Sequence, residues 1–220
     1  MYQESSDAMH NSVVVKSTPS QLTYIAEIDY GKLHHKMDHL VCFAGGMFAL
    51  GANGSTYTRD FNTGAEVTRT CHEMYARTAT GIAPEIVTFE EGRDMIPGNR
   101  AHHYLLRPET VESFYVLYRL TGEQKYRDWG WEAFQAIEQY CRVEHGYSGV
   151  RDVDQVPVVH DNQQQSFFLA ETLKYLYLLF TSSEVVSLDE YVFNTEAHPF
   201  PILRDGWTQE YTSHFPPAAR

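Results

Sequence analysis

Positive charge is scarce in this sequence. Its 220 residues carry 17 lysines and arginines against 29 aspartates and glutamates, for a formal net charge of -12. No basic cluster offers the face that a phosphate backbone or an anionic bilayer requires, which argues against nucleic acid or membrane surface as a partner. A cation or a neutral polar ligand suits the balance better. Cysteine is sparse too: Cys42, Cys71 and Cys141 include no C-x-x-C pair, which excludes a zinc ribbon or a thioredoxin-type motif. One disulfide with a free thiol, or three buried thiols, would each satisfy this set, and spacing does not choose between them.

Long apolar runs are missing as well. None approaches the ~20 residues of a membrane span, and the opening "MYQESSDAMHNS" has neither the positive region, the apolar stretch nor the cleavage site of a signal peptide. There is no G-x-S-x-G nucleophile elbow, no phosphate-binding glycine loop and no dinucleotide fingerprint.

What is abundant is apolar and aromatic. Hydrophobic residues make up 43% and aromatics 14%, so the chain is globular and long enough to bury a core. Such an aromatic content suits a packed interior and a carbohydrate-binding surface equally.

Residues 1–21 are polar and read as a mobile or extended start. "KMDHLVCFAGGMFALGA" (36–52) has Leu40, Phe43, Met47 and Leu50 at helical spacing and predicts a buried helix, with Gly45-Gly46 marking a close helix contact. A second helix is expected over 62–81, closed by Gly81. Residues 84–90 read as extended and 91–100 as a Gly/Pro/Asn-rich loop. "LLRPETVESFYVLYRLTG" (105–122) predicts a helix stopped at Thr121-Gly122, and 123–143 a further helix that turns back on it. "GYSGVRDV" (146–153) is hairpin-like. Residues 163–180 are strongly helical, with Phe168, Leu169, Leu173, Leu176 and Phe180 on the apolar side, and 188–202 read as a strand running into a Pro-rich end. Five to seven helices, short β connections and no βαβ alternation point to an all-α, α/α architecture in one domain.

Several positions could carry chemistry. Pro108 suits a first helical turn, and Glu109 and Glu112 then lie one turn apart beside Arg107. They are either first-turn acids in a local pair with Arg107 or a carboxylate pair aimed into a cavity from a rigid helix start. Glu171, between Phe167 and Tyr175 on an apolar helix, either pairs with Lys174 at the surface or faces a pocket beside an aromatic platform. Thr195 and Glu196, among Asn194, His198 and Pro199, form a turn that also offers oxygen ligands to a hard cation. His35 and His39 stand four apart, a zinc-capable spacing. Lys36 occupies the place where a metalloprotease has Glu, so His39 reads as a buried polar partner of Asp38 or a substrate contact. Asn53-Gly54-Ser55 is a formal N-glycosylation sequon.

Taken together, "MDHLVCFAGGMFALGA", "LLRPETVESFYVLYRLTG", "GYSGVRDV", "QQQSFFLAETLKYLYLLF" and "VFNTEAHPFPI" resemble, in order, the motifs of glycoside hydrolase family 47. These are the class I α-1,2-mannosidases that trim high-mannose N-glycans in the ER and Golgi. The wording is closer to the Golgi and fungal processing enzymes than to the ER-degradation mannosidase-like proteins.

The resemblance implies an (α/α)7 barrel, an inverting mechanism and a calcium ion bound at the barrel floor. It implies Glu109 as the general base, Thr195 as the direct calcium ligand, and Glu112, Glu171 and Glu196 as acids that hold calcium-bound water. Arg107, His39 and Phe167 would line the sugar subsite together with Glu112 and Glu171. Cys42 and Cys71 would form the disulfide, leaving Cys141 free, in the oxidising lumen of the Golgi or ER. The family's general acid and a further essential aspartate have no matching motif before residue 36. The expectation is therefore a C-terminal part of one catalytic domain, a partial barrel with exposed apolar faces and any membrane anchor outside this sequence. The alternative is a non-catalytic fragment that binds high-mannose glycan.

Overall fold

The chain begins in a helix, and of the mobile or extended start expected for residues 1–21 the strand Val14–Lys16 is extended. The computed structural model describes residues 1–203, and in it α1 spans Tyr2–Ser12. What holds α1 is a buried acid it cannot see locally. Asp60 accepts hydrogen bonds from Ser6 Oγ at 3.1 Å and Arg59 Nε at 2.8 Å, with His10 Nε2 also 3.1 Å away. The chain then pairs Val14–Lys16 antiparallel with Thr23–Ile25.

The helix expected over 36–52 is split. Lys36–Asp38 is a strand, because Met37 opposite Val87 buries its side chain in a three-stranded antiparallel sheet with Ile86–Glu90 and Asp94–Pro97. The last of these strands falls inside the stretch expected to be a loop. A 3-10 turn over His39–Cys42 follows, and only then α2, Phe43–Gly51. Phe43 and Leu50, expected in the core, are about half exposed at 47% and 48%. Both open onto cavities instead.

The remaining helices are α3 (Tyr57–Ala76), α4 (Glu109–Thr121), α5 (Lys125–Tyr140) and α6 (Leu173–Phe180). α3 starts and ends about one turn earlier than its sequence pattern suggests. Gly122, at φ 69°, caps α4 by returning its N–H to the Tyr118 carbonyl, which sends the chain straight into α5. α6 is entered through a π-helical turn, Phe168–Thr172, and Leu169 and Phe180 point outward rather than inward. Beyond it, Tyr191–Phe193 and Pro199–Pro201 form a hairpin where one strand was expected.

α4 is the centre of the arrangement, touching α2, α3, α5 and α6. Its buried face (Val111, Phe114, Tyr115, Leu117) fills the main core with Phe48, Val67, Met74 and Leu179. A second core of Tyr104, Leu106, Ile137, Val150 and Phe168 lies under the segment that leads into α4. The glycines of α2 permit this packing. A Cβ on Gly45 would stand 2.1 Å from Thr68 Oγ1, and one on Gly64 would stand 2.6 Å from the Gly45 carbonyl. The expected result for Gly45→Ala is a loss of about 3 kcal/mol, read by urea unfolding, since the obstructing hydroxyl is already bonded to the Gly64 carbonyl and cannot turn away freely. A loss under about 0.5 kcal/mol would show that the helices can part without cost.

Candidate active site

The strained residue Leu106, fully buried at φ 64°, turns the chain into Arg107-Pro108 and α4. Its carbonyl is pinned by Thr172 Oγ1 at 2.7 Å, from the π-turn. Backbone in this region costs about 1–3 kcal/mol and persists where its surroundings enforce it. Here the enforced turn aims the start of α4 at the π-turn, and the acids of both elements meet.

They meet in a cavity of about 620 Å³ lined by Leu40, Phe43, Glu109, Glu112, Glu171, Phe193, Asn194 and Thr195. A neighbouring apolar groove of about 480 Å³ shares Phe43, Glu112 and Phe193 but adds no further carboxylate. The chemistry is in the former.

Glu109 is held ionised. Burial works against its charge, but the His39 hydrogen bond, the His39 charge and Arg107 outweigh burial and hold its carboxyl below the ordinary range. His39, fully buried, presents Nδ1 to Glu109 Oε2 at 2.9 Å and Nε2 to the Tyr75 hydroxyl at 3.0 Å. A carboxylate can only accept, so Nδ1 carries the proton in that bond. Arg107 keeps a long ion pair with Glu109, but its short contact lies outside the helix acids. Its Nε donates to Glu85 at 2.8 Å, Glu109 is 3.9 Å away, and the guanidinium lies 5.6 Å over the Phe167 ring.

Glu112 and Glu171 go the other way. Burial, then the charges of Glu109 and Glu171, push Glu112 up to about 7, even though Tyr175 donates to it at 3.0 Å. Burial, then Glu109 and Glu196, push Glu171 up to about 7. Lys174 does not neutralise Glu171 in a surface pair. Its Nζ donates to the Ala197 carbonyl at 2.7 Å and so fastens the Thr195-Glu196 turn. Within that turn Asn194 Oδ1 accepts from the N–H groups of Glu196 and His198.

The structure therefore brings Glu109, Glu112, Glu171 and Thr195 to one cavity, sets His39 and Arg107 against Glu109 with Phe167 against Arg107, and leaves Glu196 exposed beside Thr195. His39 and Asp38 are not partners, since Asp38 lies 3.7 Å from Lys36. His35 and His39 do not share a helix face either, as His35 bonds the Tyr24 hydroxyl at 2.6 Å. Sequence reasoning missed Glu85, Tyr75 and Thr110, which orient Arg107 and His39, and named Tyr175 as a neighbour of Glu171 and not as the donor to Glu112. A buried acid after Pro84 in an apolar run was the available signal for Glu85.

These features have counterparts among known proteins. The sequence profile described as Glycosyl hydrolase family 47 matches residues 1–202. The chain belongs to that family. It is 53% identical over 193 residues to mannosyl-oligosaccharide alpha-1,2-mannosidase IA of Drosophila melanogaster, covering 86% of this chain and 29% of that protein. It is 50% identical over 207 residues to human mannosyl-oligosaccharide 1,2-alpha-mannosidase IB, covering 92% and 32%. Among solved structures, the alpha-1,2-mannosidase from Trichoderma reesei superposes with a TM-score of 0.83 at 32% identity, over 90% of this chain and 46% of that one. The family 47 chain thus spans about a third of the length of these curated relatives, and its helices form a partial α/α barrel.

The Cys42–Cys71 disulfide is formed, and Cys141 is free and buried. It ties the 3-10 turn that begins with His39 to α3, which carries Tyr75, so it fixes both ends of the His39–Tyr75 bond. Opening a loop of 29 residues is expected to cost about 3–4 kcal/mol. Cys42→Ala/Cys71→Ala should show that loss in thermal unfolding, and an unchanged Tm would contradict it.

Proposed function

We propose that this chain supplies the water-activating base and the cation site of an inverting α-1,2-mannosidase that removes terminal α-1,2-linked mannose from high-mannose N-glycans. The observation that carries this reading is one cavity holding an ionised carboxylate, Glu109, beside two acids whose protons are retained near neutrality. The names of the relatives give the bond and the sugar.

In this reading Glu109 accepts a proton from the water that attacks the anomeric carbon, while His39 keeps its carboxylate oriented and charged. A general acid on the opposite side of the ring protonates the leaving oxygen, as inversion requires. Arg107 over Phe167 forms a flat charged wall against which a mannose ring can stand.

The cation is calcium. The ionisable groups lining the cavity offer only oxygen donors, and burial, with repulsion from neighbouring acids added to it, holds protons on Glu112 and Glu171, a penalty that a hard dication offsets. Thr195 would hold it through hydroxyl and carbonyl, and Glu112, Glu171 and Glu196 through water. Bound there, it would supply positive charge and open coordination positions to sugar hydroxyls. The disulfide suits the lumen of the Golgi or ER, and no described helix is long and apolar enough to cross a membrane.

The test is mannose release from a high-mannose N-glycan, with calcium or chelator, by the chain alone and by the chain joined to the remaining barrel of a family relative. Calcium-dependent release in either form supports the proposal. Glycan binding without release in both would favour a binding fragment, and neither binding nor release would overturn the assignment.

A further inference from the structure

We infer that His102, Asp152 and Asp154 form a zinc site, distinct from the acidic cavity and sharing no residue with it. Among the described residues these three are the group whose ligand atoms all lie within 4.8 Å of one another. They sit on two antiparallel segments whose register is set by backbone alone. Tyr104 and Val150 exchange hydrogen bonds at 2.9 and 3.1 Å, and Val153 N donates to the His102 carbonyl at 2.8 Å. Val153 is itself fully buried, with its carbonyl taken by Thr80 Oγ1 at 2.7 Å.

The carboxylates are oriented in advance. Asp152 Oδ1 accepts the Asp154 N–H at 2.9 Å, and Asp154 Oδ1 accepts the Ala79 N–H at 3.0 Å, from the end of the α3 connection. In Asp154 the outer contact falls on Oδ1 and leaves Oδ2 to face His102, the arrangement that fixes a metal-binding carboxylate, while in Asp152 the same Oδ1 takes the N–H and faces His102. Between them stands His102 Nδ1, shielded from solvent and without a hydrogen-bond partner. It faces Asp152 Oδ1 at 3.6 Å and Asp154 Oδ2 at 4.0 Å.

At those distances His102 makes two long ion pairs and no hydrogen bond. A charge-assisted N–H···O bond closes to about 2.7–2.9 Å, and neither contact to His102 does. Zinc bonds of about 2.0–2.2 Å in a tetrahedron instead place ligand atoms roughly 3.3–3.6 Å apart. One ion at the centre would satisfy the orphaned nitrogen and both carboxylates once the side chains, whose ligand atoms lie within 4.8 Å of one another, close around it. The imidazole selects a borderline metal over calcium or magnesium, and three protein ligands leave the fourth position to water. His102 and Asp154 keep 40% and 41% of their side chains accessible, so the ion has a way in. Its effect would be to clamp residues 152–154 onto the segment that leads through Tyr104 to Arg107.

The experiment is zinc titration by calorimetry and thermal unfolding, with calcium saturating, on the wild-type chain, His102→Ala and Asp154→Asn. One zinc per chain is expected, raising Tm, with affinity falling more than about 100-fold in His102→Ala and less in Asp154→Asn. Both variants should keep wild-type circular dichroism, which shows that they fold. Zinc binding in His102→Ala equal to wild type would overturn the site, because the other histidines of the 11 would then account for it. So would a wild-type chain that takes up no zinc.

Discussion

Glu109→Gln is expected to lower calcium-dependent mannose release by roughly 10²–10⁴-fold, the range over which a positioned general base contributes. Glycan and calcium binding should change little. Gln fills the same volume, keeps an oxygen that can accept from His39 Nδ1, and loses only the capacity to take a proton. The measurement is single-turnover release alongside equilibrium glycan binding in the active form of the domain. A rate within tenfold of wild type, with binding intact, would place the base elsewhere in the cavity.

The size of that effect follows from the contrast between Glu109 and its neighbours. Glu112 is one helical turn away and Glu171 faces the same space, yet both retain protons to about 7 while Glu109 is held ionised. The difference is His39, which bonds Glu109 and neither of the others. Environments that push paired carboxyls apart are how one site assigns separate roles to like groups.

Much of this was legible in the sequence, for reasons that differ by residue. The helices of 109–121 and 125–140 carry their own periodicity, stop signals and first-turn acids, so local pattern sufficed. Residues 36–38 misled because Met37 belongs to a strand only by virtue of Val87, fifty residues on. α1 misled for the same reason: its polar sequence has no core-facing stripe, and what anchors it is Asp60. Glu109, Glu112, Glu171 and Thr195 stood out as acids or oxygen donors where periodicity called for apolar residues or a simple turn. Their partners did not. Glu85, Tyr75 and Tyr175 look like ordinary strand or core residues until the fold brings Arg107, His39 and Glu112 against them.

Calcium removal is expected to have the second large effect, with a pH dependence whose sign is fixed by the raised carboxyls. An unfolded glutamate titrates at 4.5, whereas Glu112 and Glu171 in the metal-free fold titrate at about 7. Between those values the folded chain binds more protons than the unfolded one, so stability falls as pH rises through the window. The loss is on the order of 3 kcal/mol for the deeply buried Glu112 once it is fully ionised, and smaller for Glu171, which solvent screens more. Calcium favours the ionised forms, so its binding should release protons there and its stabilisation should grow with pH. Thermal unfolding in chelator is expected to show Tm falling between about pH 5 and pH 8, with calcium raising Tm strongly at the upper end and little at the lower. Glu171→Gln should flatten the chelator curve by removing one of the two charges, and should weaken calcium. Asp94 cannot produce the same trend, because its carboxyl is held near 2 by Ser17, Ser20 and Arg77 and stays ionised throughout. A chelator Tm that is flat across the window, or a calcium shift of equal size at both ends, would mean that these acids do not share the cation's charge. The cavity would then bind sugar without an ion.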